Sequence, residues 1–204
     1  MKEFWNSRYQ ESEYAYGTEP NEFLKEKLEG LTPGMALFPA EGEGRNAVFA
    51  AQKGWDVTAF DFSESAKVKA QKLASERGVE INYQVASFEE FEAKESSFDL
   101  LVLIFAHFLP SKRKEYHRKL SQFLKPGGLV ILEAFSKNHI QFNSVNEKAG
   151  GPKDPEFLFS EENLKADFSG FEILQLEVVE KELKEGNYHV GKSSVIQMIA
   201  KKPE

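Results

Sequence analysis

The segment FDLLVLIF at 98–105 is apolar at every position but one. A strand with one wet face alternates apolar and polar side chains, so a run of this kind belongs to a strand covered on both faces. Such strands sit in parallel sheets between two layers of helices, and the rest of the chain keeps to that plan. Apolar runs at 35–39, 55–60, 81–85 and 129–135 alternate with segments of helical period at 21–30, 45–53, 63–77 and 111–124. Gly30, Gly54 and Gly78 stop three of these helices, and Ser63 is placed to cap the third. KPGG at 125–128 reads as a turn, while 137–157 is polar, carries Gly and Pro, and has no usable period. A short helix is expected at 160–168. Two β-rich runs at 172–182 and 193–201 flank Gly186 and Asn187. A loop of about ten residues between them predicts an antiparallel hairpin that closes the sheet.

Composition narrows the function classes. The 204 residues suit one ordinary globular unit, and the charge balance of 26 basic against 33 acidic residues, −7, argues against nucleic acid or an anionic membrane as partner. No window of apolar residues is long enough to span a bilayer, and the opening MKEFWNSRYQESEY lacks the apolar core of a secretory signal, so a cytoplasmic protein is expected. The absence of cysteine removes disulfides, thiolate metal sites and cysteine nucleophiles together. The four histidines are scattered, with no H-x-x-x-H spacing, so no metal is expected. Phenylalanine is in excess at 18 residues, and Phe38, Phe60, Phe62, Phe88, Phe105 and Phe108 are expected beside the site developed below.

That site begins at Gly42-Glu43-Gly44, between the first strand and its helix, where open parallel sheets bind nucleotides. Glycine lets a ligand lie against backbone where a Cβ would stand in its way. Asp61 ends the second strand, 19 residues past Gly42, the place of a carboxylate that accepts both hydroxyls of an adenosine ribose. A tight turn and a surface aspartate are the plain alternative. GEGRNA also satisfies G-x-G-x-x-A, which keeps a dinucleotide open. Against it stand the lack of room for a second substrate domain, the Arg45-Asn46 helix start, and the terminal hairpin.

GEGRNAV at 42–48, VTAFD at 57–61 with Ser63, FDL at 98–100 and LKPGG at 124–128 together resemble the class I S-adenosylmethionine-dependent methyltransferases. More narrowly, FWNSRY at 4–9 and YGTEPN at 16–21 resemble the opening of the tellurite-resistance and thiol or small-molecule methyltransferase group. The resemblance implies a Rossmann-like three-layer α/β/α fold, a mostly parallel seven-stranded sheet of order 3-2-1-4-5-7-6 ending in the antiparallel hairpin. It also implies one methyltransferase domain over 1–204, with a helical lid at 1–30, a cofactor-binding half at 31–135, and a substrate-side loop, helix and hairpin at 136–204. S-adenosylmethionine would be the cofactor and S-adenosylhomocysteine the product. The loop from Ala40 through Gly42 to Gly44, with Asn46, would pass under its methionine part, and Asp61 would hold the ribose. Phe62 would flank the adenine, Ser87 and Phe88 would meet its edge, and Ile104 and Phe105 would complete the floor. Three positions depart from the group's pattern: Phe38 where an acidic residue is usual, Ala40 for glycine, and Ser87 for an acidic residue.

His107, just past the fourth strand, sits where the group places substrate-facing residues, and is either a proton acceptor for the substrate or a loop histidine bonded to backbone. Trp5, Tyr9, Tyr14 and Tyr16 either fold over the cofactor, whose sulfonium aromatic faces attract, or pack into the sheet. His117 reads as solvated beside Arg113, Lys114, Arg118 and Lys119, a basic stripe taken as a solvated face. His139 and His189 read as loop residues. The expectation is therefore methyl transfer to a small molecule, a thiol or chalcogen oxyanion first. Two rivals stay open: a cofactor-binding module without catalysis, and a methyltransferase acting on a macromolecule.

Overall fold

The computed structural model describes residues 2–204. An eight-residue helix α1 (Lys2–Tyr9) precedes α2 (Glu22–Leu28), after which strand and helix alternate through β1 (Met35–Pro39), α3 (Arg45–Gln52), β2 (Asp56–Asp61), α4 (Glu64–Glu76) and β3 (Asn82–Val85). Then follow β4 (Phe98–Ile104), α5 (Arg113–Phe123), β5 (Leu124–Phe135), α6 (Ile140–Asn143), α7 (Glu161–Asp167), β6 (Glu172–Glu185) and β7 (His189–Lys201). The strands form one sheet in the order β3-β2-β1-β4-β5-β7-β6, and only β7 pairs antiparallel to its neighbours. No helix among the described residues is long and apolar enough to cross a membrane.

The period of two along each central strand decides which layer a side chain serves. Ala36 and Phe38 of β1, and Leu100 and Val102 of β4, pack with Phe23 and Leu24 of α2 and Ala47 of α3. Leu37, Leu101 and Leu103 point the other way, against Tyr116 and Leu120 of α5 and Leu164 of α7. Both faces of β4 are therefore dry, as its uninterrupted apolar run requires, and each fully buried leucine there contributes about 1.5–3 kcal/mol. Ser63 and Ser160 cap α4 and α7, accepting from the amides of Ala66 and Asn163 at 3.3 and 3.2 Å.

Three elements differ from the sequence reading. β5 starts at Leu124, because KPGG is absorbed as a register shift between Phe98 and Leu100 of β4 rather than forming a separate turn. The hairpin turn is Gly186–Tyr188 in place of about ten residues, since the polar stretch on either side pairs in register down to Glu185 opposite His189. Those residues looked like loop because β6 is an edge strand with a wet face. Residues 137–157 hold short 3-10 turns and α6, too brief to leave a period.

Candidate active site

The glycine loop joins β1 to α3 at the carboxyl edge of the sheet. Ala40 follows the strand at φ +51°, a left-handed conformation that glycine adopts more readily, and Gly42 and Gly44 come after it at +63° and +90°. Glu41 turns back onto the start of α3, its Oε1 accepting from the amides of Asn46 and Ala47 at 2.9 and 2.8 Å. Tyr83 donates to the Gly42 carbonyl at 2.6 Å. At the end of β2, Asp61 accepts from Gly42 N at 3.3 Å and from Ser63 N at 3.0 Å, and burial pushes its carboxyl up to about 6. Loop and carboxylate are thus one unit, as their spacing predicts.

Asp61, Ala40, Phe62 and Phe88 meet around a cavity of about 40 Å³, together with Phe105, His107 and two residues of α1, Trp5 and Tyr9. The Tyr9 hydroxyl reaches the loop so closely that a Cβ on Gly42 would lie 2.7 Å from it. A second cavity of about 640 Å³ adjoins the first, and Trp5 and His107 line both. Its walls include Arg8, Tyr16, Gly150, Tyr188 and His189. Arg8 lies over the Tyr188 ring at 3.8 Å from its centroid and donates to the Tyr16 hydroxyl at 3.3 Å. His107 stacks on Trp5 at 6.1 Å, its Nδ1 is buried with no hydrogen-bond partner, and burial lowers its pKa to about 4. It is a neutral imidazole at the junction of the two cavities.

Other expected site residues lie elsewhere. Gly44 turns its bare Cα to α4, where a Cβ would lie 2.6 Å from that of Ala70. Asn46 accepts from Asn21 N at 2.9 Å, Ser87 accepts from Glu90 N at 3.3 Å, and Ile104 packs with the core around α2 and α3. Phe62, Phe88 and Phe105 border the smaller cavity, whereas Phe38, Phe60 and Phe108 are buried in the core. His117 is fully buried rather than solvated, 3.0 Å from Asp167, which Arg113 also holds at 2.7 Å. Arg8, Tyr188 and His189 gave no local signal of their place, because three distant segments bring them together.

The comparisons with known proteins bear on this arrangement. Residues 39–128 match the family model described as a methyltransferase domain. Over that stretch, less than half of the chain, the sequence is similar to a methyltransferase domain. The chain is 31% identical over 119 residues to the ubiquinone/menaquinone biosynthesis C-methyltransferase UbiE of Geotalea daltonii, an alignment covering 56% of this chain and 51% of that protein. The chain thus spans about half the length of the curated relative it matches. Among solved structures, one from work on the conversion of a disulfide bond into a thioacetal group during echinomycin biosynthesis superposes with a TM-score of 0.79 at 18% identity, covering 100% of this chain and 92% of that one. A S-adenosylmethionine-dependent methyltransferase of Methanosarcina mazei gives 0.66 at 21% identity over 87% and 96%. These likenesses show the fold. The similarity to methyltransferase domains implies S-adenosylmethionine as cofactor, and the chemistry around Asp61 fits its nucleoside: a buried carboxylate at the strand end, a positive-φ loop beside it, and aromatic rings around it. The space fits only in part, because Trp5 and Tyr9 fill much of it.

Proposed function

We propose that this chain transfers the methyl group of S-adenosylmethionine to a small molecule held in the larger cavity. The meeting of the two cavities at Trp5 and His107 carries the reading, since methyl transfer needs donor and acceptor in line across one opening. When bound, the donor supplies a methyl on a sulfonium, an electrophile that needs no further activation. The chain's own part is to bind, align and keep out water. Asp61 accepts the ribose hydroxyls, Phe62 and Phe88 flank the base, and the Ala40–Gly42 backbone runs beneath the amino-acid part. α1 moves outward to admit the donor and returns with Trp5 over it. His107, neutral at pH 7, lines both cavities where they meet and presents a ring edge to the acceptor.

A small acceptor is supported by the aromatic lining of the larger cavity, from Phe4, Trp5, Tyr16, Phe157 and Tyr188, and by the basic stripe's ion pairs. Lys112, Arg113 and Lys119 are bound to Glu115, Asp167 and Glu92. Within small molecules, the N-terminal motifs favour a thiol or chalcogen oxyanion, and the curated relative, a C-methyltransferase by name, adds phenols to the panel.

Titration calorimetry with S-adenosylmethionine, S-adenosylhomocysteine and NAD tests the donor. Binding of the first two and not of NAD is expected, and the reverse pattern overturns the proposal. Asp61→Ala should weaken binding by about 1.5–3 kcal/mol, the value of a charge-assisted pair, and unchanged affinity would mean the site lies elsewhere. Labelled donor with thiols, chalcogen oxyanions, amines and phenols then tests transfer. Binding without transfer to any of them favours a binding module that has lost its chemistry.

A further inference from the structure

His189 opens β7 on the wall of the larger cavity and is 4% exposed. Its Nδ1 lies 2.9 Å from Glu185 Oε2, across the turn that joins β6 to β7. The same carboxylate oxygen accepts from the Arg45 guanidinium at 2.9 Å, and Oε1 accepts from the Asn21 side chain at 3.1 Å. Arg45 opens α3, directly after the glycine loop, so three buried groups connect that loop to the acceptor cavity. The imidazole is clamped by Tyr16, Phe105 and Phe135, with ring centroids 4.4, 4.6 and 5.1 Å away.

This geometry fixes the tautomer. Arg45 and His189 hold the Glu185 carboxyl well below the usual carboxylate range despite its burial. An ionised Glu185 has only lone pairs to offer, so Nδ1–H donates to it and Nε2 keeps its lone pair. The Cδ2–Nε2 edge faces Gly150, where an added Cβ would lie 2.7 Å from Cδ2 and 3.4 Å from Nε2. Gly150 also lines the larger cavity. His107 has no orienting partner for its buried Nδ1, whereas His189 has a carboxylate, itself anchored by a guanidinium. A base aimed by a third group is the arrangement that proton transfer requires.

We propose that His189, aimed by Glu185 and Arg45, takes the proton from the methyl acceptor, and that the acceptor therefore enters with that proton on: a thiol, phenol or amine rather than a preformed oxyanion. The inference rests on the donor reading given above. The acceptor's X–H bond breaks and its proton passes to Nε2. The electron pair left on X forms the bond to the methyl carbon, and the carbon–sulfur bond breaks with its pair remaining on sulfur. The products are the methylated acceptor, a neutral thioether and an imidazolium beside the Glu185 carboxylate, which stabilises it. The charged and titratable groups that face His189 are Glu185 on β6, Arg45 on α3, Arg8 on α1, Tyr16 after α1, His107 after β4 and His139 after β5. Burial, Arg45 and Arg8 hold its pKa below the ordinary imidazole value, and Glu185 opposes them, so His189 is neutral and ready to accept a proton at pH 7.

The test compares wild type, His189→Gln and Glu185→Gln with a thiol, a phenol, an amine and selenite as acceptors. S-adenosylhomocysteine affinity by calorimetry and melting temperature are measured beside kcat and KM. His189→Gln should keep that affinity within about threefold and lose about 100- to 10,000-fold in kcat on a proton-bearing acceptor, with little change in KM. Glu185→Gln removes the charge that raises the imidazole pKa. It should shift the acidic limb of the kcat–pH profile, and the His189 Cε1–H titration seen by NMR in the protein without donor, to lower pH. A His189→Gln variant that binds S-adenosylhomocysteine and keeps kcat within threefold overturns the inference, as does transfer to selenite alone. Should His189→Gln fail to fold, the NMR midpoint decides, and a midpoint left in place by Glu185→Gln overturns it. Wild type that does not bind S-adenosylhomocysteine instead overturns the donor reading beneath it.

Discussion

Burial raises the Asp61 carboxyl to about 6, against an ordinary value near 3.9, and two consequences of opposite sign follow. As pH falls through about 6 the folded chain takes up this proton before the unfolded chain does, so the penalty for burying the carboxylate, present above that pH, is relieved as pH falls toward 4. The protonated acid is a poorer acceptor for a ribose diol, so S-adenosylhomocysteine affinity should weaken across the same window. Calorimetry at pH 7, 6 and 5 should show the loss, and Asp61→Asn should flatten it while also removing this group's share of the pH dependence of melting. A second residue prediction concerns Ala40. Its φ of +51° costs about 1–2 kcal/mol in an L-residue, and glycine adds about 0.5–1 kcal/mol of chain entropy to the unfolded state. Ala40→Gly should therefore stabilise the chain by up to about 1.5 kcal/mol in denaturant melts. Asp61 and Gly42 were legible in the sequence because strand, loop and carboxylate follow one another along the chain. His189 was not: its meaning depends on Arg45, 144 positions away in sequence, and on a turn whose length the polar pattern concealed.

Among the elements, α1 is the one whose position decides whether the donor site is open. Eight residues are too few for a helix to be stable alone, so α1 holds its place through side-chain contacts. Trp5 stacks on Tyr9 at 5.6 Å and on His107 at 6.1 Å, Arg8 bonds Tyr16, and the Tyr9 ring packs with Ala15 and Ala66. Tyr9→Ala removes the ring that covers Gly42, which favours the open position. A ligand that binds only the open form then gains affinity in proportion to the shift in population. S-adenosylhomocysteine should bind Tyr9→Ala roughly 3- to 10-fold tighter, with faster association in stopped-flow measurements, and a weaker or unchanged affinity would show that α1 does not obstruct the site. The helices and strands from β1 to β5 were readable because each is a continuous run with its own period and stop signal. The role of α1 was only half readable: its aromatics suggested a cover, but what they cover is set by packing across the sheet edge.

At the scale of the whole molecule, the hairpin ties the last strands to the first residues and both to the glycine loop. The Asn187 amide donates to the Ala15 carbonyl at 2.9 Å, and the Ala15 amide donates to Glu43 Oε2 at 2.7 Å. Glu43 is in turn held by Lys69 of α4 at 2.7 Å. Gly186 makes this closure possible. It sits at φ +57°, and an added Cβ would fall inside van der Waals distance of the Ala15 carbonyl oxygen and lie 2.5 Å from Gly17 N, both of them backbone atoms that cannot rotate aside. Gly78 offers the matching control, since it has φ +69° and no atom within 4 Å of an added Cβ. Gly78→Ala should cost about 1 kcal/mol, the left-handed conformation alone. Gly186→Ala should cost about 2–4 kcal/mol, because the turn must also pull away from the N-terminal segment. At about 2–4 °C per kcal/mol for a chain of this size, calorimetric melting should separate the two variants by roughly 2–12 °C. Gly186→Ala should also slow methyl transfer where Gly78→Ala does not, since the displaced turn carries Glu185 and His189 with it. Equal melting temperatures and equal rates in the two variants would show that the hairpin and the N-terminal segment are not coupled through this turn.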